Sequence, residues 1–247
     1  MIKKIYDTFI LKYPILVLLI LSLFVSILGY YSTKVEVDAS AETLLLDDDK
    51  DLKFFREINK RYNNSNFLIV TFTPHENLLS NQSLDTIRTL SKDFLTVKNI
   101  EGVDSILTVP LLQSPIRPIS DLVAGVDSME TKEFDKELVK NEFLTSPLYK
   151  NALVSDDFKT TALILNIKND EKYYELLEKR NSLLVKEKEK IITKEEKLEL
   201  KKAIVEFKNY RDLIRKKDTN NIENIRNIIK KYEANGKIFL GGVNMIA

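Results

Sequence analysis

The segment "YPILVLLILSLFVSILGYYST", from Tyr13 to Thr33, has no charged residue and consists mainly of Leu, Ile, Val and Phe. At about 1.5 Å per residue, a helix of this length spans roughly 31 Å, the hydrocarbon thickness of a bilayer. Pro14 falls in the first turn, where a missing N–H costs little, and Tyr30 and Tyr31 fall where aromatic side chains favour the membrane interface. The segment predicts a transmembrane helix over residues 13–33.

The residues before this segment predict its orientation. They include three lysines and one aspartate, at Lys3, Lys4, Lys12 and Asp7. Because basic loops tend to stay in the cytoplasm, residues 1–12 are predicted to be cytoplasmic and everything after Lys34 to be exported. The alternative is a signal peptide cleaved at the small residues Ala39 to Ala41. We favour an uncleaved anchor because the apolar segment is longer than a usual signal core and Ala41 lies well beyond its end.

The composition excludes several classes of function. The chain has 247 residues, enough for one large or two small domains, and its 38 basic and 37 acidic residues nearly cancel. Such a balance argues against nucleic acid as a partner. There is no cysteine, which excludes disulfides and a cysteine nucleophile, and the single histidine, His75, makes a histidine metal site or catalytic triad improbable.

Beyond Lys34, short strand-like runs alternate with amphipathic helices. The predicted elements are a strand at residues 34–39, a helix at 52–62 capped by Asp49 or Asp51, a strand at 66–73, a helix bearing Ile87, Leu90, Phe94 and Val97 and capped by Ser83, and a strand at 102–110. Residues 111–150, which contain three prolines, predict an irregular insertion with a helical piece from Met129 to Phe143. A further strand is predicted at 158–168, entered by a turn at Asp156 and Asp157.

A charge-dense helical insertion is predicted over residues 169–234. Three apolar stripes recur at helical spacing in it, and Thr193 and Glu196 form a capping box. The stripes are Leu177, Leu184 and Ile191; Leu200, Ala203, Ile204, Phe207 and Ile214; and Ile222, Ile225, Ile229 and Tyr232. We predict a helical hairpin or short coiled coil followed by a returning helix. Its exposed faces fit a solvated spacer or an arm that docks on a partner.

After this insertion, Gly236 is predicted to end the helix, and "KIFLGG" (Lys237 to Gly242) predicts a last strand. Two βαβ units then enclose the insertion. The fold class predicted is α+β, a ferredoxin-like domain formed by residues 34–168 and 235–247 after one transmembrane helix.

No residue pattern predicts catalysis. The carboxylates of "LLLDDDKD" (Leu44 to Asp51) lack the spacing and the glycine of a calcium loop, and helix capping explains them better. Gly241 and Gly242 lack the surroundings of a phosphate loop, and the glycosylation triplets at Asn63 and Asn81 are common by chance. We expect no catalytic, cofactor-binding or metal site and no enzymatic activity.

Taken together, the chain resembles the start of an RND-superfamily transporter of the MMPL or hydrophobe-exporter type. After the first membrane helix, "SAETLLLDDDKDLKFFREINKRYNNSNFLIVTF" (Ser40 to Phe72) resembles the family's "T-x-x-L-L-P-x-D-D-P" with its helix and strand, and "EGVDSILTVP" (Glu101 to Pro110) its "G-V-x-x-V" strand. "SPLYKNALVSDDFKTTALILNI" (Ser146 to Ile167) resembles "P-L…L-V-S-x-D-G-x-T", with Phe158 in place of the glycine. "KIFLGGVNMIA" (Lys237 to Ala247) resembles the "G-G-x-P" run that precedes the second membrane helix, with Asn244 in place of the proline.

The resemblance implies a bacterial inner-membrane protein whose residues after Lys34 form a periplasmic porter domain. Such transporters export lipids or other hydrophobic compounds, driven by protons that pass acidic residues of later membrane helices. The uncharged segment here holds no such residue, so the relay is expected outside these 247 residues, beyond a second helix that would follow Ala247. The implied partners are the bilayer, the rest of the transporter and a periplasmic protein at the helical insertion.

Two other classes of protein fit the same pattern. One is a membrane-anchored sensor, whose extracytoplasmic domain precedes a signalling helix and a cytoplasmic output domain. The other is a complete single-pass protein whose helical insertion binds a partner. What lies beyond Ala247 separates these alternatives from a transporter.

Overall fold

The computed structural model describes residues 12–33, 54, 58, 66–116, 118 and 125–242. The chain divides into two units, residues 1–46 and 47–247. In the first, α1 (Pro14–Ser32) begins with proline, which has no N–H to leave unpaired there. It confirms the predicted helix to within a residue. The predicted strand at 34–39 and most of the predicted helix at 52–62 lie outside the described residues.

The second unit is built on a four-stranded antiparallel sheet with the strand order β2-β3-β1-β4. The strands are β1 (Phe67–Pro74), β2 (Ile100–Asp104), β3 (Thr161–Ile167) and β4 (Gly236–Gly241). The central strands pair with Val70 opposite Leu163, and Val70 also faces Leu240 on β4. The α+β class is therefore confirmed, with a sheet whose central pair comes from β1 and β3.

Helix α2 (Asn81–Phe94) packs in one core with alternate side chains of the sheet. Its stripe of Ile87, Leu90 and Phe94 is fully buried together with Val70 and Phe72 of β1. Burial of each such side chain stabilises the fold by about 1.5–3 kcal/mol. Buried side chains alternate along β1 and recur at helical spacing along α2. The core therefore lies on one face of the sheet.

Several predicted boundaries were wrong. The cap of α2 is Ser80, whose Oγ accepts from the N–H of Ser83, the residue predicted to cap it. Strand β2 ends at Asp104 because residues 105–108 form a turn closed by Ser105 and Thr108. The helix of the irregular region, α3 (Lys136–Thr145), begins seven residues later than predicted, at its cap Asp135.

The turn into β3 is confirmed at Asp156 and Asp157, but the strand begins at Thr161 and not at Phe158. Phe158 has a φ of 56°, a left-handed backbone conformation that cannot continue into a strand. Its ring is nonetheless buried, in the main core. Phe158 thus combines a buried ring with a backbone conformation that is unfavourable for residues other than glycine.

The segment predicted to be an insertion contains two α-helices, α4 (Glu171–Lys188) and α5 (Lys194–Lys231). The prediction of a separate returning helix was wrong, because the second and third apolar stripes lie on the single helix α5. A short 3-10 helix, Glu233–Asn235, then leads directly into β4. The predicted capping box of Thr193 and Glu196 is present.

Helix α5 belongs to two different hydrophobic regions. Ile225, Ile228 and Ile229 lie in the main core with the sheet, whereas Phe207 and Leu200 lie in small clusters formed with α4. We call α4 and the first part of α5, residues 171–210, the helical arm. The arm is therefore stabilised by its own seam, apart from the core of the domain.

Candidate functional site

Helix α1 has the composition of a membrane span. Among the described residues it is the one helix long and apolar enough to cross a bilayer, with a mean hydropathy of 2.3 over its best window and none of that window buried. Thr33 Oγ1 donates to the Tyr30 carbonyl at 2.8 Å, satisfying an oxygen at the helix end. By length and composition, such a helix near the N-terminus fits a transmembrane anchor or a signal sequence.

The seam of the helical arm is aromatic at its centre. Phe207 of α5 is 3% exposed, and its ring centroid lies 5.4 Å from that of Tyr173 on α4. The guanidinium of Arg180 lies 4.2 Å from the centroid of the same ring, within the range of a cation–π interaction. One aromatic side chain therefore contacts α4 at two positions that lie about two turns apart.

Towards the tip, Leu183 packs with Leu200 and Ala203. The predicted heptad is only partly correct here: Leu184 is half-buried and Ile191 is 63% exposed in the turn between the helices. Hydrogen bonds from Lys186 and from the N–H of Thr193 lower the pKa of Glu196, which joins the two helices. The tip is thus held by polar contacts after the apolar seam ends.

At the base of the arm, Asp170 joins α4 to α5, and Asp218 joins α5 to the domain. Asp170 caps α4 by accepting from the N–H of Tyr173 at 3.0 Å, and its carboxylate oxygens lie 3.0 and 2.9 Å from the hydroxyl of Tyr210 on α5. Asp218 of α5 accepts from Nδ2 of Asn99, in the α2–β2 connection, at 3.2 Å. Burial raises the pKa of Asp218, and the nearby charge of Asp170 raises it further.

A second polar group lies inside the domain, beneath the irregular region. Glu142 of α3 is 1% exposed, and its Oε1 accepts from the N–H of Leu112 at 2.7 Å. Its Oε2 and the buried Oγ of Ser114 have no hydrogen-bond partner among the described residues. Burial, and then the Glu142 charge, raise the pKa of Tyr149, whose hydroxyl donates to the Pro110 carbonyl. This buried polar contact fixes the path of residues 110–114 over α3.

We expect Glu142→Ala to lower the free energy of unfolding by about 1–3 kcal/mol, because the N–H of Leu112 would stay buried without an acceptor. Glu142→Gln keeps an amide oxygen for that N–H and should cost less. Chemical denaturation of the detergent-solubilised protein measures both, with the exposed Glu137→Ala on the same helix as control. Equal stability of all three variants would contradict this role for Glu142.

Of the residues weighed for chemistry, the structure describes His75, Gly241, Gly242 and Asn81. His75 is exposed after β1, and its backbone N–H donates to the carbonyl of Asn235. Gly241 ends β4, and Gly242 has a φ of 140° and lies so close to Leu68 that a Cβ would meet its side chain at 2.8 Å. Asn81 begins α2. No metal-binding group of His, Cys, Asp and Glu occurs among the described residues.

The remaining candidates, the carboxylates of residues 47–51, Asn63 and the small residues 39–41, lie outside the described part of the chain.

Two of the polar contacts above were missed by the sequence analysis. Glu142 lies on the same helical stripe as Val139, Phe143 and Ser146. A charged residue on an otherwise buried stripe could have indicated this polar contact from the sequence. The contact between Asn99 and Asp218 joins residues 119 positions apart and has no local signature.

No family model, curated protein or solved structure matches this chain.

Proposed function

We propose that this chain supplies the first membrane helix and the first periplasmic porter domain of a proton-driven exporter of the RND superfamily, of the type that exports lipids or other hydrophobic compounds. In this proposal α1 anchors the protein in the bacterial inner membrane and residues after Lys34 lie in the periplasm. The proton relay belongs to other membrane helices of the transporter. The domain itself catalyses no reaction.

The observation that carries the proposal is the backbone at two glycine positions of the RND-like motifs. Phe158, which stands where the motif has glycine, has a φ of 56°, in the region that favours glycine. Gly242, the second glycine of the "G-G" pair, has a φ of 140° and contacts Leu68 too closely for a side chain. A chance match of residue letters would not be expected to coincide with these backbone requirements.

The order of elements also supports the proposal. With α2 between β1 and β2, and α4 and α5 between β3 and β4, the sheet order β2-β3-β1-β4 corresponds to the split βαβ arrangement of a ferredoxin-like domain. We infer that the helical arm is an insertion in the second βαβ unit of this domain. A periplasmic protein is the partner we propose for the arm.

The sequence encoded beyond codon 247 in the native gene tests this function. The proposal predicts several further apolar spans, at least one of which carries an acidic residue. A single span followed by a kinase or a methyl-accepting coiled coil would contradict it and support a sensor. A stop codon directly after Ala247 would contradict it in favour of a single-pass protein.

A further inference from the structure

The helical arm joins the domain through a stretch of α5 that has no hydrophobic support. Between Tyr210, in the seam of the arm, and Ile225, in the main core, every residue is described and no side chain is buried. We call residues 211–224 the neck. Because each hydrophobic region ends before the neck, the orientation of the arm depends on the neck itself and on polar contacts beside it.

The neck contains a run of poor helix formers. Asp218, Thr219, Asn220 and Asn221 follow one another in the middle of α5, and each has a lower helix propensity than Ala, Leu, Lys or Glu. The hydroxyl of Thr219 donates to the carbonyl of Arg215 at 2.9 Å, a bond within the helix that favours bending. The helix is therefore weakest at the point where packing also stops.

Two hydrogen-bonded contacts flank this weak point. Tyr210 donates to Asp170 on the arm side, and Asn99 donates to Asp218 on the domain side. The first links α5 to the start of α4, immediately after the short connection from β3. The second links α5 to the domain.

We propose that residues 218–221 are a hinge on which the helical arm turns, and that the Asn99–Asp218 and Tyr210–Asp170 hydrogen bonds hold the docked orientation seen in this structure. The arm moves as one body because its own aromatic seam lies entirely on one side of the hinge. When both contacts are released, the arm stays joined to the domain by the neck and by residues 168–170 between β3 and α4.

The charges around the hinge make docking depend on pH. Burial, followed by the charge of Asp170 at the start of α4, raises the pKa of Asp218, and Lys217 on α5 opposes this. Lys172 of α4 lies over the ring of Tyr210, and the α2–β2 connection presents the neutral Asn99. A raised pKa in the docked state means that docking binds a proton. Acidification therefore favours the docked arm, and this gain is lost as the pH rises through the raised pKa.

Spin-label distances in the full chain, reconstituted in lipid nanodiscs, test the hinge. The chain has no cysteine, so Glu137→Cys on α3 and Lys194→Cys near the arm tip, both exposed, add the only two labels. Pulsed electron paramagnetic resonance should give two populations of distance, docked and released. Asn99→Ala should raise the released-to-docked ratio about fivefold, as expected for one lost hydrogen bond. The docked population should also rise as the pH falls from neutral towards the ordinary range of carboxyl pKa values.

Variants of the neck distinguish motion at a hinge from a general loss of stability in α5. Asp218→Asn keeps the acceptor oxygen but removes the charge beside Asp170, so it should favour docking at neutral pH and reduce the pH dependence. Replacing Thr219, Asn220 and Asn221 together with alanine should narrow the distribution of distances between the two labels, because alanine favours the helix. Glu223→Gln and Asn209→Ala, exposed on the same helix, are the matched controls and should change nothing. A single narrow distance that no variant or pH alters would overturn the hinge, as would equal effects of the controls.

Discussion

Replacing Phe207 with alanine is expected to unfold the helical arm while leaving the sheet intact. A buried phenylalanine truncated to alanine costs about 3–5 kcal/mol, and Phe207 supplies the centre of the contact between α4 and α5. Two helices that pack mainly on each other have little other stabilisation to absorb that loss. The helices should therefore separate and fray.

Amide hydrogen exchange followed by mass spectrometry measures this effect by region. Peptides from residues 171–210 should lose their protection, whereas peptides from β1 and β3 should keep theirs, because Phe207 lies outside the main core. Val205→Ala, on the same helix but 57% exposed, is the control and should leave the arm protected. A uniform loss of protection across arm and sheet would contradict the independence of the two regions.

Replacing Leu23 with arginine is expected to abolish stable insertion of α1. Leu23 lies near the middle of the helix, and a charged side chain there costs about 2.5–3.5 kcal/mol, a factor of roughly a hundred in the insertion equilibrium. The loss is large because this unit contains no second span among its described residues to retain the protein.

The share of protein that stays in membranes after alkaline carbonate extraction measures insertion. Tyr31→Arg places the same charge at the interface, where the side chain can reach the head groups, and should be retained. Leu23→Ala should be retained as well. Full retention of the arginine variant at residue 23 would contradict the membrane-spanning role of α1.

The sequence predicted those elements whose signals are local. The strand predicted from the β-rich run at residues 66–73 and the capping box at Thr193 and Glu196 depend on neighbours a few positions away, and both were confirmed. The turn before β3 was also found, because aspartates favour turns. The left-handed backbone of Phe158 was not, since a buried aromatic residue ordinarily favours the strand that was predicted.

Most of the candidate functional features depend on contacts between residues far apart in the sequence, which local patterns do not predict. The second and third apolar stripes predicted two separate helices, yet α5 continues through residues 218–221, and Ile225, Ile228 and Ile229 anchor its far end in the core. The hydrogen bond of Asn99 to Asp218 depends on that continuity. Sequence patterns thus indicated the apolar stripes but neither the continuous helix nor this contact.

The proposed function requires an anchored domain on the periplasmic side of the inner membrane. Glu137→Cys places one cysteine at an exposed site on α3 of a chain that has none. We predict that a membrane-impermeant maleimide, small enough to cross the outer membrane, labels it in intact cells, and that the labelled protein stays in membranes with residues 13–33 retained by mass. Labelling only after lysis would contradict the proposed orientation, and a released product cleaved after Ala41 would contradict the anchor.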